Sequence, residues 1–250
     1  MNGGRRLDQA LVDRGLAPSR ERAKALIEGG CVQVDGLVAD KASRKVADAS
    51  AIALTGEVCP WVSRAGLKLD HGLAHFGFDV AGRTALDIGA STGGFTEVLL
   101  SRGAAGVFAV DVGHGQLHPS LDADPRVRSM EGLNARNLSA VDLGEPIQVV
   151  TCDASFISLK LVLAPALELA EPGSLLVALI KPQFEVGRGK VGKGGVVKDE
   201  ALQVAVCAEI QEWLAGQGGW RVSGVTESPL LGPEGNREFL IGAVKEGEPG

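Results

Sequence analysis

Thr84-Ala85-Leu86-Asp87-Ile88-Gly89-Ala90-Ser91-Thr92-Gly93-Gly94-Phe95-Thr96 is the stretch that decides the fold. Ala85–Ile88 is a short apolar run that ends in a cluster of small residues, and an amphipathic stretch, Thr96–Arg102, follows. That order reads as a strand, a tight turn and a helix whose N-terminus faces the turn. Small residues there let the backbone approach a ligand closely.

Working outward, further strands are expected at Val107–Val110, Val127–Met130, Val149–Cys152, Leu175–Ile180, Trp220–Val225 and Phe239–Val244. Helices are expected at Leu159–Glu171 and Glu200–Ala215. Short apolar strands alternating with helices predict an α/β domain: a seven-stranded, mostly parallel sheet with helices on both faces. No helix separates the last two strands, so they should close the sheet as an antiparallel hairpin. Upstream, Leu7–Arg14 and Arg20–Glu28, the second capped by Ser19, read as helices. Cys31–Val34 and Leu37–Ala39 flank Asp35-Gly36, a hairpin turn signal. With Ile52–Leu54 they suggest a small α+β domain. The expected boundaries are residues 1–58, a linker at 59–63, and 64–250, opening with a helix that runs from Ser63 toward Phe76.

Composition bounds the function. The 250 residues are 45% hydrophobic with a net charge of −6, enough to bury a sizeable core. No apolar run reaches the ~20 residues of a membrane span, so a cytoplasmic protein without a membrane partner is expected. Cys31, Cys59, Cys152 and Cys207 are scattered with no C-x-x-C pair, which argues against zinc and disulfides. The charge is uneven. Residues 1–62 carry 9 Lys and Arg against 8 Asp and Glu, a net of +1, and residues 63–250 carry 16 against 23, a net of −7. A basic surface for nucleic acid must then arise by clustering, as in Arg5-Arg6, in Arg20, Arg22 and Lys24, and around Lys190.

The turn after the first strand lacks G-x-G-x-x-G, which argues against a dinucleotide. It offers instead Asp87 at the end of strand one and Asp111 at the end of strand two. An acid at the second position can take both hydroxyls of an adenosine ribose. Asp87 can face the amino group of a methionine moiety, directly or through water. A sulfonium ligand carries positive charge and no phosphate, so acids suit it. Lys68, Asp153, Lys181 and Glu238 could converge beyond the carboxyl ends of the strands. A ribose hydroxyl is a poor nucleophile, a neutral lysine can take its proton, and a second ammonium nearby favours that neutral form. Spacing alone leaves open whether the four form one constellation or two separate surface ion pairs. After strand four the chain reads Asp153-Ala154-Ser155-Phe156, not the Asn/Asp-Pro-Pro-aromatic signature of amino-group methylation, and no Pro-Cys pair is present to attack a pyrimidine ring.

Several stretches together resemble the TlyA family: Leu86–Thr96, Asp111–Leu117, Asp153–Ser158, Lys181–Glu185, Gly194–Val197 and Gly235–Glu238. That family comprises bacterial ribosomal RNA cytidine 2′-O-methyltransferases, some bearing the name haemolysin. Its catalytic domain resembles the FtsJ methyltransferases, whose Lys-Asp-Lys-Glu tetrad would fall on Lys68, Asp153, Lys181 and Glu238. Residues 5–62 look like the RNA-binding fold of ribosomal protein S4. The resemblance implies S-adenosylmethionine as cofactor and cytidine ribose in 16S or 23S ribosomal RNA, or both, as substrate. It further implies a ribosomal subunit as partner, with no metal and no protein partner required. The implied cofactor set is Asp87, Gly89, Ala90, Ser91, Thr92, Gly93, Gly94, Phe95, Asp111, Val112, Asn134 and Asp153. Candidate RNA contacts are Arg6, Arg20, Arg22, Lys41, Arg64, Arg136 and Lys190. One departure is His114, where the family pattern has Tyr, a residue this chain lacks altogether. Base methylation of RNA, a non-catalytic RNA-binding role and a membrane-lytic role are the competing readings. The last is disfavoured because no strongly amphipathic basic helix is present.

Overall fold

The computed structural model describes residues 4–28, 30–39, 41–54, 59–187, 189–192, 194–232 and 235–247. The chain divides into two compact units, residues 1–64 and 65–250. The first holds β1 (Arg5–Arg6), α1 (Leu7–Asp13), α2 (Arg20–Glu28), β2 (Val32–Val34), β3 (Leu37–Val38), β4 (Lys45–Val46) and β5 (Ile52–Leu54). Leu7, Leu11 and Ile27 are fully buried between its helices and strands. Asp35 and Gly36 both take positive φ, 54° and 80°, which is the primed turn that matches strand twist, and β2 and β3 pair across it. Sequence reading missed β1 and β4, two residues each, because strands so short have no periodicity to read.

The second unit begins with α3 (Ala65–Phe76), β6 (Thr84–Ile88), α4 (Gly94–Ser101), β7 (Gly106–Asp111), α5 (Pro119–Asp122) and β8 (Val127–Glu131). It continues with α6 (Ala140–Leu143), β9 (Ile147–Cys152), α7 (Leu159–Leu169), β10 (Ala170–Ile180) and α8 (Pro182–Glu185). It ends with α9 (Glu200–Ala215), β11 (Trp220–Glu227) and β12 (Phe239–Lys245). The seven strands lie in the order β11-β12-β10-β9-β6-β7-β8. Strands β10, β9, β6, β7 and β8 run parallel, and β12 runs antiparallel to both of its neighbours, β10 and β11. The expected closing hairpin is present, with β12 lying inside the sheet rather than on its edge.

The parallel strands are apolar on both faces because helices cover both. Leu86, Ile88, Val150, Leu176 and Ile180 are all 0 or 1% exposed. Helix α7 stops at Leu169, two residues before the expected end. Trp220 Nε1 and Lys245 Nζ donate to Leu167 O at 3.2 and 2.8 Å, and Lys245 also reaches Ala170 O at 2.7 Å, so the last carbonyls are capped from β11 and β12. Helix α3 buries Leu69 and Leu73, each worth roughly 1.5–3 kcal/mol. Its Phe76 ring lies so close over Gly242 of β12 that a Cβ there would sit 2.6 Å from it. This contact sets α3 against β12 and with it Lys68 against Glu238. Among the described residues no helix is long and apolar enough to cross a membrane.

Candidate active site

A cavity of about 450 Å³ opens at the carboxyl ends of β6, β7 and β9, within the size range of small-molecule sites. It is lined by Ile88, Gly89 and Ser91 from the first turn, by Asp111, Val112 and Gln116 after β7, and by Leu133 and Asn134 after β8. Asp153, Ala154, Ser155 and Phe156 line it after β9. Gly89, with φ +78°, is required there. A Cβ would sit 2.9 Å from Ala154 N and 3.1 Å from Asp153 C, so only glycine lets the two strand ends approach.

Of the residues expected at the cofactor, Gly89, Ser91, Asp111, Val112, Asn134 and Asp153 line the cavity. The others lie behind it. Phe95 is 2% exposed and packs in the core, Ala90 is buried, and Gly93 and Gly94 form the start of α4, with Thr92 accepting a backbone hydrogen bond from His118. Asp87, expected to face a ligand amino group directly or through water, does not itself line the cavity. Its carboxylate is fully buried and accepts from Thr96 Oγ1 at 2.7 Å and Thr151 Oγ1 at 3.0 Å. Burial without a cation in contact pushes its pKa up to about 7, against the two hydroxyl hydrogen bonds that favour the anion. Asp111, the last residue of β7, lines the cavity. Its oxygens accept from Ser91 N at 2.9 Å and Gly113 N at 2.8 Å, and a carboxylate so held keeps lone pairs for ligand hydroxyls. Asn134 Oδ1 accepts from Arg136 N at 3.1 Å, fixing both at the rim. His114 does not line the cavity; its ring covers Gly132.

The four polar candidates form two buried ion pairs. Lys68 Nζ lies 2.6 Å from Glu238 Oε2, and Lys181 Nζ lies 2.6 Å from Asp153 Oδ1. Lys181 also donates to Ser155 Oγ at 3.0 Å and Asp153 O at 3.2 Å, while its contact with Asp153 Oδ1 is an ion pair without hydrogen-bond geometry. The two pairs share one end of the sheet. Lys181 follows Ile180 and Glu238 precedes Phe239, and those two residues are register partners across β10 and β12. Glu238 Oε1 is buried without a hydrogen-bond partner among the described residues, an acceptor left open. The like-charge crowding expected of Lys68 is offset, because Glu238 takes up its charge at 2.6 Å.

Two features escaped sequence reading. Phe156 is 91% exposed at φ +64°, with its ring 5.1 Å from that of Phe184, an aromatic surface at the cavity mouth. Its only signal was an aromatic after Asp153-Ala154-Ser155. Asn236 is buried and ties the loop after α8, accepting from Val197 N at 3.1 Å and donating to Gly195 O at 3.0 Å. In the first unit, Asp8 is buried and binds two of the expected RNA contacts, Arg6 at 3.0 Å and Arg20 at 2.8 Å. The Arg6 hydrogen bonds, aided by Arg20 and opposed by burial, hold Asp8 well below the usual carboxylate range. Lys41, Arg64, Arg136 and Lys190 are exposed, and Arg22 is half-buried.

Comparison with known proteins adds family membership. The profile of FtsJ-like methyltransferases matches residues 61–245, and that of the S4 domain matches residues 5–50. The chain is 49% identical to the 16S/23S rRNA (cytidine-2′-O)-methyltransferase TlyA of Mycobacterium tuberculosis, covering 94% of this chain and 88% of that protein. It is 38% identical to Hemolysin A of Brachyspira hyodysenteriae, covering 94% and 98%. A solved structure from Streptococcus thermophilus, described as a hemolysin, is 40% identical with a TM-score of 0.74, covering 100% of this chain and 91% of that one. The chain belongs to the TlyA family of FtsJ-like methyltransferases, with an S4 domain ahead of the methyltransferase unit.

Proposed function

We propose that this protein methylates the 2′-hydroxyl of cytidine in ribosomal RNA with S-adenosylmethionine, acting in the cytoplasm on a ribosomal subunit. The observation that carries the reading is Lys181, buried beside the cavity and held by Asp153, which itself lines the cavity. The relatives' names support the substrate. The residues present fit the cofactor. Gly89 leaves a cradle that a Cβ would fill, and Asp111 supplies the acid expected at the ribose hydroxyls.

When bound, S-adenosylmethionine supplies a methyl group on a sulfonium, and its transfer to oxygen leaves a neutral thioether. Lys181, in its neutral form, accepts the proton of the 2′-hydroxyl at Nζ as the C–O bond forms. Asp153 and Ser155 fix the direction of that amine. The Lys68–Glu238 pair adds no net charge at that end of the sheet. Phe156 and Phe184 offer a face on which an unstacked base can lie. Residues 1–58 would position RNA through its phosphates, with residues 59–63 as the linker. Arg6 and Arg20, with Arg22, Lys41, Arg64, Arg136 and Lys190, are the proposed contacts.

Single-turnover methyl transfer tests the reading. Lys181→Ala should lose about 10²–10⁴ in rate with cofactor and RNA affinity kept within a few-fold. Lys181→Arg should fail too, since a guanidinium does not deprotonate near neutral pH. Near-wild-type rates in the Arg variant would show a fixed charge at work, not a base. Mass analysis of nuclease digests should place the methyl on ribose; a methyl on the base would overturn the reaction assigned here.

A further inference from the structure

Glu131, the last residue of β8, stands in register with Asp111, the last residue of β7. Its carboxylate accepts three consecutive backbone N–H groups: Gly115 N at 2.6 Å, Gln116 N at 2.8 Å and Leu117 N at 3.2 Å. Around those three bonds the loop is also tied by Gly113 N on Asp111 Oδ1 at 2.8 Å, Gly132 N on Gly113 O at 3.0 Å and His118 N on Thr92 O at 3.2 Å, but none of these holds the backbone of residues 115–117. Val112, His114, Gly115 and Gln116 are all exposed, so apolar burial contributes little to its shape. Glycines at 113 and 115, the latter at φ +63°, raise the entropy cost of ordering it. The loop nevertheless carries one wall of the cavity. Gln116 lines it and accepts from Ser91 Oγ at 3.1 Å, while Ser91 N donates to Asp111 Oδ2 at 2.9 Å. Two carboxylates side by side thus organise that wall: Asp111 from within the cavity and Glu131 from behind it.

We infer that Glu131 is a positioning residue for the cofactor. By gathering the N–H groups of residues 115–117 it holds Gln116 and, through Ser91, Asp111 in the shape that receives the adenosine ribose. The carboxylate form is what three donors require. Gly115 meets one oxygen and Gln116 and Leu117 meet the other, so an amide in its place would turn an NH₂ group against at least one N–H. The same three backbone donors, Gly115 first, hold Glu131 below the ordinary carboxylate range. The ion is therefore present throughout the neutral range.

The inference rests on the reading of the cavity as the S-adenosylmethionine site, and the experiment separates the two. Calorimetry is run with S-adenosylmethionine and 5′-methylthioadenosine on wild type, Glu131→Gln, Glu131→Asp, Gln116→Ala and the Glu131→Gln/Gln116→Ala double variant. Glu131→Gln should weaken both ligands by about tenfold, the order expected when a charged hydrogen-bond acceptor is lost. Glu131→Asp, which keeps the charge one methylene further back, should lose less. In the methyl-transfer assay KM for the cofactor should rise while kcat at saturating cofactor stays within about twofold, as for a lost uniform-binding interaction. The double variant should lose less than the two single effects multiplied, because both act on one wall. Unchanged ligand affinity in a Glu131→Gln protein with a lowered melting point would reduce Glu131 to a fold-stabilising residue and end the proposal. So would a kcat that falls as far as kcat/KM, or strict additivity with Gln116→Ala. If Glu131→Gln does not fold, normal cofactor affinity in Gln116→Ala overturns it by itself. Failure of the wild type to bind either ligand would instead sink the cofactor reading.

Discussion

Asp87 offers a test of how the first turn is built. Its carboxyl is fully buried, touched by two threonine hydroxyls and no cation, and burial pushes its pKa from 3.8 to about 7. Between those values the folded chain binds a proton that the unfolded chain has already released. Stability contributed by this group is therefore fully present only below pH 3.8 and is lost as pH rises from there toward 7, levelling off above it. Each tenfold in proton affinity is about 1.4 kcal/mol, so the full loss is on the order of 4 kcal/mol. Asp87→Asn removes the titration while keeping the shape, and its amide can still bond Thr96 and Thr151. Without cofactor, the stability of the variant relative to wild type should improve by up to that amount between pH 4 and pH 8. Urea denaturation of both proteins at half-unit pH steps measures the gap, and the difference cancels the other titrating groups. A gap that stays flat across that range would refute the claim that an uncompensated buried carboxyl sits under the turn.

The remaining expectations concern the walls and the ion pairs. Gly89→Ala places a Cβ 2.9 Å from Ala154 N at a positive φ, so it should cost roughly 1–3 kcal/mol in stability and displace Asp153; thermal melts and cofactor titration read both. Lys68→Met leaves Glu238 charged and buried and should destabilise by about 3–5 kcal/mol, as breaking a buried pair does. Adding Glu238→Gln should restore much of that in denaturant melts while leaving methyl transfer impaired.

The sheet was legible in the sequence because its strands are buried on both faces. Runs such as Val107–Val110 and Leu175–Ile180 are apolar at every position, and helices of two turns or more, α4, α7 and α9, separate several of the strands. Short elements were not legible: α5, α6 and α8, four residues each, and β1 and β4. Asp111 could be placed because the end of strand two is fixed by topology. The burial of Asp87 could not, because it depends on Thr151 from β9, sixty-four positions away. Phe156 and Glu131 were invisible for a related reason. One matters through an exposed, left-handed backbone conformation, the other through backbone donors that carry no side-chain signature.

The tetrad itself follows from one antiparallel strand. In a parallel sheet only residues that follow a strand reach the ligand end, which is how Asp153 after β9 and Lys181 after β10 arrive. A residue that precedes a parallel strand would lie at the opposite end. Glu238 precedes β12, yet it stands across from Lys181, one step beyond the Ile180–Phe239 register pair, because β12 runs the other way. Its partner Lys68 comes from α3, which packs on β12 through Phe76 and Gly242, so helix and strand deliver the pair together. At that end Ser228 N donates to Glu238 O at 2.9 Å, and Gly232 lies so near the Glu238 carboxylate that a Cβ would overlap it. Inserting an antiparallel strand inside a parallel sheet thus doubles the charged groups gathered at one end of the sheet, and each acid there comes with its own lysine. Removing either lysine leaves a buried anion, whereas removing a whole pair leaves none. The double Lys68→Met/Glu238→Gln variant is therefore the one that separates folding from chemistry at this site.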